Sequence, residues 1–220
     1  MLELNDASIM VNRPQKGEFY TVEVDIRYGR GVNGVVFDNR ERLLSPPTRY
    51  LRPANGGFPR FSEKPRFILD KGKGGMPEDF AGNFGGYWLV SDRLKALFES
   101  VDPDGFSFLS CSFFLDDGSI GPSFHLCDVL REIDAIDPVA SRNIKIETGG
   151  NYPNGKYYGM RLDSQMAFRK SVIGAAHVFR TPYTGSLTFC NRLFRDALMS
   201  GGFGKELGSR GVWLEDTVSS

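Results

Sequence analysis

The feature that most narrows what this chain can fold into is a pattern used twice, one hundred residues apart. Trp88, Leu89 and Val90 form a short apolar run, Ser91 follows, and Leu94, Leu97, Phe98 and Val101 fall at i, i+3, i+4 and i+7. This is the signature of a strand feeding directly into an amphipathic helix. A hydroxyl at the cap accepts from a backbone N–H that would otherwise be unpaired, and one apolar face turns to a core. After the turn composition "DPDG", the run "FSFLSCSFFL" reads as a returning strand. In the second copy "LTFC" is the strand and Asn191 takes the cap position. Phe194, Ala197 and Leu198 answer Leu94, Leu97 and Phe98, a Gly-Gly stop follows, and "RGVWLED" returns. Two related strand-helix-strand units point to an α+β fold with mixed or antiparallel sheets. Trp88 and Trp213, one in each unit, read as core anchors.

The N-terminal part is β-rich. "FYTVEVDIRYG", Phe19 to Gly29, alternates large apolar residues with charged ones, the period of a half-buried strand, and "GVVFDN" and "RFILD" read as further short strands. Residues 45–65 are dense in Pro and Gly and read as a loop tacked down by its aromatic side chains. The chain therefore divides into a β-rich, loop-containing segment, 1–75, and an α+β domain, 76–220, packed as one unit.

Composition removes several classes of function. With 220 residues, 40% of them apolar, the chain supports a core without covalent staples. Cys111, Cys127 and Cys190 are odd in number and too far apart for a disulfide framework or a Cys-x-x-Cys zinc pattern. Reduced thiols, with no leader-like start and no long apolar run, set the expectation of a cytoplasmic protein without a membrane partner. The formal net charge is zero, and the basic excess of the Arg- and aromatic-rich N-terminal flank is too small to favour nucleic acid. The average conceals an asymmetry. Residues 1–75 carry 13 Lys/Arg against 9 Asp/Glu, residues 76–138 carry 3 against 12, and residues 139–220 carry 11 against 6.

The residues of reactive type have two readings. His125 and Cys127 are two positions apart, on one face if they lie in a strand, so a Cys/His-dependent hydrolase or transferase is conceivable and a purely structural use is the alternative. Asp128, Glu132, Asp134 and Asp137 match neither a calcium loop nor a His-rich metal set. Lys71 to Gly75 lacks the spacing of a phosphate loop, although a nucleotide- or small-molecule-binding module there stays a third reading. No catalytic or metal-binding residue is assigned, and no cofactor is expected.

The order of motifs resembles a family of bacterial immunity proteins, immunity protein family eleven, encoded beside polymorphic and secreted toxins. The likeness rests on "MPEDF", "YWLVSDRLKALFE", "FHLCDVLREIDAIDPVAS" and "HVFRTPYTGSLTFCNRLFRDALMSGGF", and covers roughly residues 76–213. Carried over, the family motif falls on Asp79, Phe80, Ser91, Leu94, Asp134, Asp137, Ser141, Phe179 and Arg180, in structural roles. Cys190 and Asn191 replace the usual Val-Ser, and Asn keeps the capping chemistry. The resemblance implies a stoichiometric inhibitor that binds the toxin domain of a secreted effector, type VI effectors among them, and is not an enzyme. The acidic segment, with Asp102, Asp104, Asp116 and Asp117, is then expected to meet a basic toxin cleft.

Overall fold

The computed structural model describes residues 12–27, 33–44, 51–152, 154–160 and 163–218, with Asn83 described in its backbone only. Among them are 13 strands in several mostly antiparallel sheets and four helices, an α+β protein as expected. In chain order they are β1 (Phe19–Val24), β2 (Val35–Phe37), α1 (Arg40–Leu43), β3 (Arg66–Leu69), β4 (Phe80–Phe84), β5 (Tyr87–Ser91), α2 (Asp92–Val101), β6 (Phe106–Ser110), β7 (Ser112–Phe114) and β8 (Phe124–Val129). There follow β9 (Lys145–Thr148), β10 (Lys156–Gly159), α3 (Lys170–Ile173), β11 (Val178–Arg180), β12 (Thr188–Asn191), α4 (Arg192–Ser200) and β13 (Val212–Asp216).

The repeat read from the sequence is a repeat of topology. One four-stranded sheet has the order β4-β5-β8-β6 and another the order β11-β12-β1-β13. Each begins with an antiparallel hairpin, β4–β5 or β11–β12, whose second strand feeds a helix. The returning strand, β6 or β13, does not pair with the strand that launched the helix. A further antiparallel strand lies between them: β8 in the first sheet, and in the second β1 from the start of the chain. Both caps form as expected, Ser91 Oγ accepting from Leu94 N at 3.3 Å and Asn191 Oδ1 from Phe194 N at 3.1 Å.

The chain forms two compact units, and it crosses from one to the other within β1, between Leu130 and Arg131, and within α4 and β13. The first contains the described residues of Met1–Val22, Arg131–Arg195 and Leu214–Ser220; the second contains Glu23–Leu130 and Asp196–Trp213. In the second unit, β5 is buried along Tyr87–Val90 because both its faces are covered. Tyr87 and Leu89 pack into a cluster with Phe67 and Leu69 of β3, Phe113 of β7 and Leu126 of β8. Trp88 faces the other way, edge-on to Phe80 at 4.9 Å and tilted against Phe98 of α2, which stacks on Phe106 at 4.5 Å. In the first unit Phe19, Phe168, Phe179 and Phe189 form an aromatic centre with ring separations of 4.5–6.2 Å.

Three expectations are adjusted. The first strand stops at Val24, because the buried Asp25 carboxylate accepts from the backbone N–H of Arg27 at 3.1 Å and from its guanidinium at 2.8 and 2.9 Å, which turns the chain. Gly29 and residues 45–50 lie outside the described residues; residues 51–65 form neither helix nor strand. That loop is tied down by more than aromatics: Phe58 stacks on Tyr87, and the Tyr87 hydroxyl donates to Leu51 O and Gly57 O. Trp88 is a core residue, but Trp213 is only half-buried, and the Arg27 guanidinium lies 3.4 Å over its ring.

Candidate functional site

The first group of motif residues converges on a cleft in the second unit. Ser91 ends β5 and caps α2; its hydroxyl donates to Asp79 Oδ1 at 2.5 Å, while its backbone N–H donates to Asp79 O at 2.9 Å. The other Asp79 oxygen accepts from Arg210 Nε. Arg210 reaches it from a turn that is left-handed at a non-glycine residue, φ 56°, a conformation that costs about 1–2 kcal/mol. Gly211 follows with φ 88°, and a Cβ there would lie 2.1 Å from Phe80 O, so only glycine lets the turn rest on β4. Beside this linkage is a cleft of about 400 Å³, walled by Pro77, Glu78, Pro122, Ser123 and Phe124. Leu94 and Phe80 are buried in the core. Sequence reasoning missed Arg210; its signal is a lone arginine bracketed by Gly208 and Gly211, legible only once Asp79 is known to lie opposite.

The second group lies in the first unit and fixes irregular chain. Asp137 Oδ1 accepts from Val139 N and Ala140 N at 3.0 and 3.1 Å, and Ser141 Oγ donates to Asp137 O while accepting from Ala167 N. Asp134 is ion-paired with Arg169 at 2.9 Å. Phe179 sits in the aromatic centre, and the backbone of Arg180 exchanges hydrogen bonds with Arg131 O and Ile133 N.

The four acids proposed to meet a partner do not form one face. Asp102 is 3% exposed, at the C-terminal cap of α2, and cannot present its carboxylate to a partner. Asp104 is exposed, at the base of the long hairpin that β6 and β7 make with the chain from Ser119 to Val129. Asp116 and Asp117 are exposed at the opposite end, the hairpin's tip, where Asp116 pairs with Lys71 at 2.8 Å and Asp117 accepts from Ser119. Those Ser119 hydrogen bonds hold the Asp117 carboxyl below its ordinary range.

The reactive residue types are engaged elsewhere. His125 Nε2 lies 2.5 Å from Asp92 Oδ1, and Nδ1 lies 3.4 Å from Ser110 Oγ. Cys127, two residues on, is fully buried between its cross-strand neighbours Trp88 and Phe108. The three thiols are buried and none is in a disulfide. Burial pushes the Cys111 thiol up to about 12 and raises Cys190 as well, opposite to what a nucleophile needs. His177 pairs with Asn191 at 2.9 Å. Asp128 is fully buried, accepting from Arg52 Nε and from Gly57 N, both at 2.6 Å. At Lys71–Gly75 the cations meet internal carboxylates, Lys71 on Asp116 and Lys73 on Asp70, and Asp70 also takes the Gly72 N–H. Among the described residues no group of three or more His, Cys, Asp or Glu could hold a metal ion, and no helix is long and apolar enough to cross a membrane.

Fold and site together define an α+β protein whose motif residues pin turns and loops around two repeated sheets. The chain belongs to the immunity protein family Imm11, whose family model matches residues 18–219 and so takes in β1 to β3 as well as the segment whose motifs resemble that family. Membership suggests an immunity function, a non-enzymatic role and, in general terms, a toxin as partner. No curated protein matches the chain.

Proposed function

We propose that this protein neutralises a cognate bacterial toxin, the C-terminal domain of a secreted effector of a polymorphic system, by forming a tight stoichiometric complex in the cytoplasm. The observation that carries the reading is the family match across residues 18–219. The absence of an exposed nucleophile beside a base at His125 and Cys127 is consistent with inhibition by occupancy rather than by turnover.

An immunity protein has to capture toxin before damage spreads, which calls for fast association and slow dissociation. The acidic excess of residues 76–138, with Asp104, Asp116 and Asp117 exposed, supplies a field that attracts a basic toxin surface. The test is co-purification with the toxin domain encoded beside this chain, followed by association kinetics across a salt series. A 1:1 complex whose association slows as salt rises supports the reading. A complex whose association ignores ionic strength removes the steering, and absence of a complex removes the function.

A further inference from the structure

We infer that the cleft beside Asp79 and Arg210 receives an arginine side chain of the toxin. This rests on the reading of the chain as a toxin-binding immunity protein and names the chemistry of one contact within it. The cleft's volume, about 400 Å³, falls in the range of about 300–1,000 Å³ typical of pockets that enclose a ligand group. Pro77 and Pro122 give it apolar walls, the floor reaches the core residue Phe124, and Ser123 adds a hydroxyl.

Charge decides what fits. Arg210, the one cation lining the cleft among the described residues, is held by Asp79. Glu78 is exposed and, among the described residues, has neither an ion pair nor a hydrogen bond, so it remains an open acceptor. The positive end of α2 also opens near Ser91, but Asp79 and Asp92 already place two carboxylates there. The unsatisfied charge is therefore negative, within a segment carrying 12 acids against 3 bases. A guanidinium suits the site better than an ammonium, because its planar fork can take both oxygens of Glu78 while its faces lie on the proline walls.

Exposed apolar residues stand close to the lining in the chain. Met76, Ile120 and Leu207 are 45%, 85% and 86% exposed, and each lies within two residues of the lining. Exposed apolar side chains near a recess mark a contact surface, and arginine is among the residues that anchor such surfaces.

The experiment has two arms. First, the full chain is titrated with N-acetyl-arginine amide, N-acetyl-norleucine amide and N-acetyl-glutamate amide while its backbone amides are followed by NMR. Shifts for the arginine probe alone, centred on Glu78, Ser91, Ser123, Gly208 and Arg210 and lost in Glu78→Gln, are expected. Shifts spread away from the cleft, shared with norleucine, or produced by the glutamate probe overturn the inference. Second, binding of the neighbouring toxin domain is measured for the wild type, for Glu78→Gln and for Ser123→Trp, which fills the cleft from an exposed position. Each variant should bind about tenfold or more weakly with its thermal melt unchanged. Wild-type affinity in both variants overturns the inference and leaves the immunity reading standing. A wild type that binds no toxin overturns both.

Discussion

Replacing Asp128 with asparagine tests how the long N-terminal loop is held. Asp128 is fully buried on β8, and its two oxygens take the Arg52 guanidinium and the Gly57 backbone N–H, so one carboxylate ties down a stretch of chain more than seventy residues away. Asparagine keeps the shape and one acceptor but removes the charge, leaving Arg52, whose side chain is 15% exposed, without its counter-ion. Breaking a buried pair from one side costs about 3–5 kcal/mol, and Arg52's residual exposure places this case at the lower end. For a chain of this size, about 3 kcal/mol corresponds to a fall in Tm of about 6–12 °C. Thermal unfolding followed by Trp fluorescence reads the change, and limited proteolysis near Gly56 and Gly57 should show the loop released first. Arg52→Met should be similarly harmful, and the double variant less harmful than the sum, because each single change strands the other partner. A Tm within about 2 °C of wild type for Asp128→Asn would mean that water screens the pair as it does at a surface, and would refute the reasoning.

Gly211→Ala forces a Cβ to 2.1 Å from Phe80 O at φ 88°, so the Arg210 turn must lift off β4; a loss of more than about 2 kcal/mol in urea unfolding is expected, and a neutral variant would contradict the contact. The native thiols should resist iodoacetamide at pH 8 and react after unfolding, because all three are buried and burial keeps Cys111, at about 12, in its thiol form until far higher pH. Fast labelling of the folded chain at Cys127 would revive the Cys/His enzyme.

What could be read from the sequence was local. Ser91 and Asn191 announce their helices because a cap and a 3.6-residue period lie within a dozen residues, and the strands around Phe67 and Trp88 are marked by continuous apolar runs. β1 shows its strand period in the alternation from Phe19, but the insertion of β1 or β8 into each repeat left no such trace, since that pairing is set by contacts across the chain. The Asp79–Ser91–Arg210 linkage was half-visible: two members stand in motifs, while the third is a turn residue 131 positions from its partner. Asp102 looked like part of an acidic face because composition does not reveal that a helix end carries it inward. Trp213 looked like core because sequence does not reveal that it is only half-buried, with the Arg27 guanidinium over its ring.

The most direct test of the immunity reading is a titration of toxin activity against this protein. With the proposed cognate toxin domain held at a concentration far above the Kd, toxin activity is expected to fall linearly, to reach zero at one molecule of this protein per toxin and to stay there. Complete neutralisation at a small fraction of an equivalent, as turnover would produce, or full activity at several equivalents, would contradict that reading.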